Sequence, residues 1–377
     1  MQGLYIHVPF CAKVCDYCDF SVLAAPERMY LEYLDLVLRE LACVRDRYPE
    51  KWASIETLYL GGGTPSILPP ELLVRLFTWL QNSGICIENL REASMEVNPE
   101  SCLEERLDVA MAFGVNRFSV GIQTFDADLL KTIGRAHSVE TGLRALDTLC
   151  SLKGRVQVNA DLMFCLPNQS TETFLADVKR LSGYPLNHIS FYGLNVSEHT
   201  VLGNRIQRGR LHVDEELYAP MYNGGVQILK EAGFERYEVS NFAKPGFESL
   251  HNKNYWNRGE YFGVGPGAHS YLGGIRFYAP EKYSRWKSFV QEGCAESLYS
   301  NDVLNRESAI AETIWLSLRQ SAGLDVTRLA SDFNYTLPES KIEHWVCKGY
   351  LQRSGNVVKL VGDGWLFMDQ VVEDFMV

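Results

Sequence analysis

The chain has 377 residues, 46% of them hydrophobic and 22% charged, with a net charge of −11 and ten cysteines. That length supports one large domain with one or two smaller ones, and the composition is that of a globular rather than a disordered protein. The acidic balance argues against a nucleic-acid partner, because no basic run longer than a few residues offsets it. No apolar run approaches the roughly 18 residues that a membrane-spanning helix needs. The opening MQGLYIHVPF lacks the basic and apolar regions of a signal peptide and reads as a first strand, so a cytoplasmic protein is expected.

In chain order, short β-branched runs alternate with amphipathic stretches over the first half. Strands are predicted at 4–8, 57–60, 94–97, 117–121, 156–162 and 188–192, with helices at 30–47, 71–81, 104–113, 139–149 and 171–181. Such alternation implies parallel strands with right-handed crossovers, and six units fit an incomplete (β/α)6 barrel better than a doubly wound sheet. Polar or glycine-rich groups gather at the strand ends: the cysteine loop, Gly61-Gly62-Gly63-Thr64 and Asn98-Pro99 follow strands one to three, strand four ends at Gln123, strand five carries Asp161 near its end and strand six ends at Tyr192. Barrel enzymes gather their reactive groups at that rim. After about residue 235 the alternation stops. A connecting region (236–304) is rich in glycine and aromatics and contains HNKNYW and GVGPGAHSYLGG. The remainder (305–377) reads helix, helix, hairpin, an order resembling a small winged-helix module. The expected architecture is therefore α/β: a barrel over 1–235, then an α+β extension.

The most specific signal is Cys11-x3-Cys15-x2-Cys18, for which chance predicts about 0.007 occurrences at this cysteine content. Three closely spaced thiolates can ligate three irons of a [4Fe–4S] cluster and leave the fourth iron open. Two alternatives stand beside this: a structural zinc site, which lacks a clear fourth ligand, and a redox pair of Cys15 and Cys18. A zinc-stabilised barrel hydrolase would follow from the first, although no metal constellation or nucleophile–base pair is evident. The remaining cysteines are scattered singly and read as small buried hydrophobes.

The segment YIHVPFCAKVCDYCDF resembles the cluster loop of radical S-adenosylmethionine (SAM) proteins. More narrowly it is similar to the oxygen-independent coproporphyrinogen III dehydrogenases and their haem-chaperone, HemW-like relatives. The likeness continues through GGGTPS, EVNPE, RFSVGIQTF, IGRAH, DLMFCLP and HNKNYW, so it covers most of the chain. It implies a [4Fe–4S] cluster on Cys11, Cys15 and Cys18, with SAM on the open iron. The positions matching SAM contacts are Tyr5, Tyr17, Gly61, Gly62, Gly63, Thr64, Glu96, Gln123, Arg135 and Asp161. Small residues at 61–64 would let the backbone approach the methionine ammonium, the carboxylates would accept from ribose hydroxyls, and Arg135 would clamp a carboxylate.

Two features separate the branches. The dehydrogenases resemble C-x3-C-x2-C-x-C, whereas Phe20 stands at the last position here. The chain also starts almost directly at its first strand, which is read as lacking the dehydrogenases' N-terminal extension. Both point to the haem-chaperone branch, with coproporphyrinogen III dehydrogenase as the alternative. HNKNYW is the haem-linked motif by resemblance: His251 would offer an imidazole to iron, and Tyr255 and Trp256 flat faces to a porphyrin. His269, in GPGAHS, is a second candidate for that ligand role, although it reads rather as structural. The partners so implied are haem, haem-acceptor proteins of respiration and an electron donor such as a flavodoxin or ferredoxin; a homodimer is left open. One departure is notable. The family's DLMFGLPGQT-like segment is DLMFCLPNQS here, so Cys165 and Asn168 replace small glycines at the rim, where bulkier side chains would alter the space next to SAM.

Overall fold

The computed structural model describes residues 1–376. Seven strands of the main sheet run parallel: β1 (Gln2–Val8), β2 (Ile55–Gly62), β3 (Glu92–Val97), β4 (Arg117–Gln123), β5 (Gln157–Phe164), β6 (His188–Gly193) and β7 (Glu260–Val264). Their spatial order is β7-β1-β2-β3-β4-β5-β6. Most positions of the first six strands are buried, as expected where both faces of a parallel strand are covered. The helices predicted from apolar periodicity form at Arg28–Arg47, Pro70–Asn82, Glu104–Ala112, Val139–Ser151 and Thr171–Ser182. Two of them start at serine N-caps: Ser138 accepts from the Thr141 N–H and Ser170 from the Thr173 N–H.

The sheet does not close. Beyond β6 lie Asn241–Ala243 and Glu235–Arg236, both antiparallel. Beyond β7 lie His269–Leu272, Ile275–Tyr278 and Ser300–Asp302, also antiparallel. The incomplete barrel expected from sequence is thus present, with one more parallel strand than the alternation revealed. Strand β7 (EYFGV) is short, carries a glycine and has no crossover helix of ordinary length before it, so nothing local marks it. Its pairing with β1, Gly3 opposite Tyr261 and Tyr5 opposite Gly263, is what makes it a strand. The connecting region therefore extends the barrel sheet.

The C-terminal segment folds as helix Arg306–Leu318, strand Leu324–Asp325, helices Val326–Phe333 and Glu339–Cys347, and strands Leu351–Ser354 and Val357–Leu360. A final helix, Met368–Met376, packs back on the first of these. The segment is tied to the barrel by polar bonds. Arg319 pairs with the fully buried Glu238 at 2.9 Å, and the Val239 N–H donates to the Arg319 carbonyl at 3.0 Å. Of the scattered cysteines, Cys165 and Cys294 are buried as expected, but Cys347 is exposed and four others are half-buried.

Candidate functional site

The cysteine loop leaves β1 and is held at several points. Phe10–Cys11 pairs with Leu23–Ala24, and the His7 imidazole Nε2 lies 2.9 Å from the Ser21 carbonyl. In the middle of the loop the Asp16 N–H donates to the Ile133 carbonyl at 3.0 Å, while the Asp16 carbonyl accepts from the Leu202 N–H at 2.7 Å. Gly134 permits this approach. It sits at φ +74°, and a Cβ there would lie 2.5 Å from the Asp16 carboxylate. Cys11, Cys15 and Cys18 are all free, half-buried thiols.

A polar chain links the loop to the barrel rim. Thr64 Oγ1 donates to Cys11 Sγ at 3.7 Å and accepts from Asn98 Nδ2 at 2.7 Å. Asn98 Oδ1 in turn accepts from Arg135 Nη2 at 2.9 Å, and the same Nη2 donates to the Gly121 carbonyl. The other fork of Arg135, Nη1, points at Cys15 Sγ from 3.5 Å. The Arg135 Nε–H is buried with no partner, a donor left for something beside the thiols.

These groups enclose a cavity of about 320 Å³ at the C-terminal ends of β2–β6. Its wall brings together Cys11, Cys15, Cys18, Tyr17, Gly62, Gly63, Glu96, Gln123, Arg135 and Asp161. Glu96 accepts from the Tyr59 hydroxyl at 2.8 Å and the Gly62 N–H at 3.0 Å, and burial pushes its carboxyl up to about 7. Asp161 is also raised by burial, against hydrogen bonds that include Asn159 Nδ2 at 2.7 Å and Ser119 Oγ at 3.0 Å. Gln123 lies at φ +69°, where β4 shifts register against β5, and accepts from the Tyr192 hydroxyl at 3.1 Å. A left-handed residue at a strand end re-aims its side chain, here into the cavity.

Three predicted SAM contacts stand elsewhere. Tyr5 bonds the His7 ring at 2.9 Å and faces a second cavity. Thr64 is buried behind Cys11, one layer from the cavity. Gly61 lies under Tyr59, whose ring would be 2.7 Å from an added Cβ. The physical need for the glycine run also differs from that expected. A Cβ on Gly62 would meet the His7 ring at 2.5 Å, and one on Gly63 the Phe10 carbonyl at 2.6 Å. The glycines let the cysteine loop lie flat on β2. Cys165 and Asn168 likewise do not crowd the cavity; they line a separate pocket of about 230 Å³. Their φ values of 55° and 66° show why glycine suits these two positions. Asn98, Ser119, Tyr59 and Tyr192 are site residues that the sequence reading did not assign. Asn98 and Tyr192 had a signal, since each ends a strand at the same rim.

His251 does not sit as an open ligand. It is fully buried among the first residues of the strands, with Nδ1 2.9 Å from Thr57 Oγ1 and Nε2 2.7 Å from the Tyr255 hydroxyl. Burial pulls its pKa down to about 3. HNKNYW lies on helix Leu250–Trp256, whose leading N–H groups are accepted by Glu92 at 2.8 and 3.0 Å. Nδ1 ties the helix to the barrel floor and Nε2 is engaged within the helix, so this structure does not present the His251 imidazole openly to an iron.

The second cavity is larger, about 1060 Å³, and lies between β1, β7 and the extension. Tyr5, Tyr255, Trp256, Tyr261, Tyr271 and Tyr283 supply aromatic faces, and Arg258, Arg276, Lys282 and Glu312 supply charge. Asp19 and Phe20 line both cavities, so the residues directly after Cys18 form the wall between them. Among the described residues no three His, Cys, Asp or Glu side chains converge on one metal ion. A four-iron cluster distributes its thiolates over separate irons, so the loop fits a cluster better than a single zinc.

A mixed α/β sheet with a trio of thiols at its rim is the setting of radical SAM chemistry. Residues 5–181 match the Radical SAM superfamily, to which the chain belongs. Within it the chain belongs to the haem-chaperone, HemW-like branch. It is 33% identical over 381 residues to Heme chaperone HemW of Lactococcus lactis, covering 100% of this chain and 97% of that protein. It is 32% identical over 382 residues to Heme chaperone HemW of Bacillus subtilis, covering 100% and 99%. The solved structure of coproporphyrinogen III oxidase (HemN) from Escherichia coli superposes with a TM-score of 0.84 at 21% identity, covering 100% of this chain and 90% of that one. That likeness establishes a shared fold.

Proposed function

We propose that this chain holds haem beside a radical SAM centre and delivers it to acceptor proteins, those of respiration among them. The observation that carries the reading is the shared wall: Asp19 and Phe20 join the thiol-lined cavity to an aromatic cavity of porphyrin-like chemistry. Its relatives' name, heme chaperone, supports the same assignment.

Cys11, Cys15 and Cys18 would hold three irons of a [4Fe–4S] cluster, whose open iron would take SAM and supply one-electron chemistry there. Arg135, fixed by Asn98 and Gly121, keeps a guanidinium fork on Cys15 and so offsets thiolate charge. Glu96, Asp161 and Gln123 present acceptors, already oriented by Tyr59, Ser119, Asn159 and Tyr192, to the ribose and ammonium of SAM. Phe20, 67% exposed, takes the place where the dehydrogenases carry a further cysteine. It offers an apolar face and no sulfur.

The reading takes the barrel at 1–235, the connecting region at 236–304 and a winged-helix-like module at 305–377 as working units. Delivery takes place in the cytoplasm, with a flavodoxin or ferredoxin as electron source; among the described residues no helix is long and apolar enough to cross a membrane. Haem titrated into anaerobically reconstituted protein should give a stoichiometric Soret band that Trp256→Ala weakens. Incubation with coproporphyrinogen III, SAM and a reductant should yield no protoporphyrinogen. A wild-type protein without a saturable Soret change sinks the proposal.

A further inference from the structure

We propose that His269 is the axial ligand to haem iron in the larger cavity, in place of the histidine of HNKNYW. The assignment rests on the haem-holding reading and deepens it.

The donors available to iron in this cavity are few. No cysteine or methionine lines it, which leaves imidazoles and phenols. Two of the three histidines in or beside the cavity are spent. His7 contacts the Tyr5 hydroxyl through Nδ1 and the Ser21 carbonyl through Nε2, both at 2.9 Å. His251 is closed off by Thr57 and Tyr255 and does not line the cavity. His269 is exposed on the cavity wall, and its ring stacks on Tyr278 with centroids 4.7 Å apart and planes inclined by 22°. No hydrogen bond among the described residues engages its nitrogens. Burial and the nearby Arg276 both hold its pKa below the ordinary histidine value, which favours the neutral, ligating imidazole. The phenols are poorer candidates: Tyr5 and Tyr255 are engaged with histidines, burial raises the Tyr261 and Tyr283 hydroxyls so a phenolate there is costly, and Tyr271 turns its ring face to Arg258 and Arg276.

The backbone presents His269 together with the other groups a porphyrin needs. In the hairpin of His269–Leu272 and Ile275–Tyr278, His269 opposes Tyr278 and Tyr271 opposes Arg276. Alternation along a strand puts all four on one face. Tyr271 thus supplies a flat apolar surface two residues from the ligand; Arg276, paired with Glu312 at 3.1 Å and 3.7 Å from Asp302, would share its guanidinium fork between Glu312 and a propionate. Lys282, on the same cavity wall, carries no ion pair among the described residues and can take the second propionate. Gly263 fixes the hairpin's position. An added Cβ there would lie 1.9 Å from the His269 carbonyl, so the strand of His269 lies against β7 only because residue 263 has no side chain.

The test uses the full chain with its cluster reconstituted anaerobically. Haem binding is followed by the Soret band, and the iron's ligation by ferric electron paramagnetic resonance, in wild type, His269→Ala, His269→Tyr and His251→Gln. In His269→Ala, haem affinity should fall tenfold or more and the ferric signal should change, with added free imidazole restoring the wild-type spectrum. His269→Tyr should replace the imidazole signature with that of a phenolate while iron and sulfide content stay unchanged, which separates ligand exchange from misfolding. His251→Gln should retain the wild-type ferric signature. Unchanged spectra and affinity in both His269 variants overturn the assignment, as does loss of the signature in His251→Gln alone. If wild type binds no haem, the haem-holding reading itself fails.

Discussion

The two cavities that meet at Asp19 and Phe20 are built in opposite ways. In the thiol-lined one the charged and polar side chains are already held by others: Arg135 by Asn98 and Gly121, Glu96 by Tyr59 and Gly62, Asp161 by Asn159 and Ser119. The aromatic one is three times larger, and its accessible imidazole and its lysine have no polar partner among the described residues. The first is preorganised for a small charged ligand that must be placed to a fraction of an ångström. The second offers faces and a few charges, which suits a flat cargo that enters and leaves. Holding for chemistry and holding for transfer place different demands on a cavity wall, and the molecule keeps them on adjoining stretches of one sheet.

The largest effect that separates the two should come from Cys15→Ala. It removes one of the three thiols proposed to hold the cluster and should abolish assembly of iron and sulfide, read by metal analysis and by loss of the dithionite-bleachable absorbance. Haem titration of the same variant should still give a Soret band, because no cluster cysteine lines the aromatic cavity. Simultaneous loss of both would show that the cavities are one site. Next comes Arg135→Met. It strips the thiol-lined cavity of its cation and orphans the Asn98 and Gly121 acceptors, at a cost of roughly 3 kcal/mol in stability. SAM affinity, measured calorimetrically on reconstituted protein, should fall tenfold or more while haem affinity holds.

A third test addresses the seam on which the aromatic cavity is mounted. Glu40 is fully buried there, accepting from Trp286 Nε1 at 2.8 Å and the Gly265 N–H at 2.9 Å, and burial pushes its carboxyl up to about 8. Its other oxygen has no partner. Between the unfolded carboxyl's ordinary pKa and about 8, the folded chain binds a proton that the unfolded chain has lost. Stability should therefore fall as pH rises through that window, by on the order of a few kcal/mol. Glu40→Gln should flatten the curve in denaturant melts taken from pH 5 to 9; a wild-type protein that becomes more stable across this range contradicts the assignment. The smallest effect concerns the pocket apart from both cavities. Asn168→Gly should stabilise by at most about 1 kcal/mol, since asparagine tolerates positive φ, and Cys165→Gly should gain the relief of a less tolerant residue but lose a buried thiol. Neither should alter SAM affinity.

How far each cavity could be read in advance follows from how it is assembled. The cysteine loop, the Asn98-Pro99 turn, Gln123, Asp161 and Tyr192 lie at or toward the C-terminal ends of successive strands in a repeating strand–helix pattern. Their shared rim was therefore implied by the order of elements alone. The aromatic cavity has no such pattern. Its walls come from β1, the residues after Cys18, a short helix, β7 and a hairpin, elements more than 200 residues apart in the chain that meet only because β7 pairs with β1. HNKNYW divides for the same reason: Tyr255 and Trp256 reach the aromatic cavity, whereas Thr57 and Tyr255 occupy the histidine once the helix docks.

By itself the sequence determined the thiol trio, the six-unit alternation and the family, because these are carried by local spacing and periodicity. Tertiary structure alone decided which histidine is free, that the glycine run serves packing of the cysteine loop, and that a seventh parallel strand opens a second cavity. Those outcomes depend on which buried donors and acceptors find each other, and pairing across the fold leaves no trace in neighbouring residues.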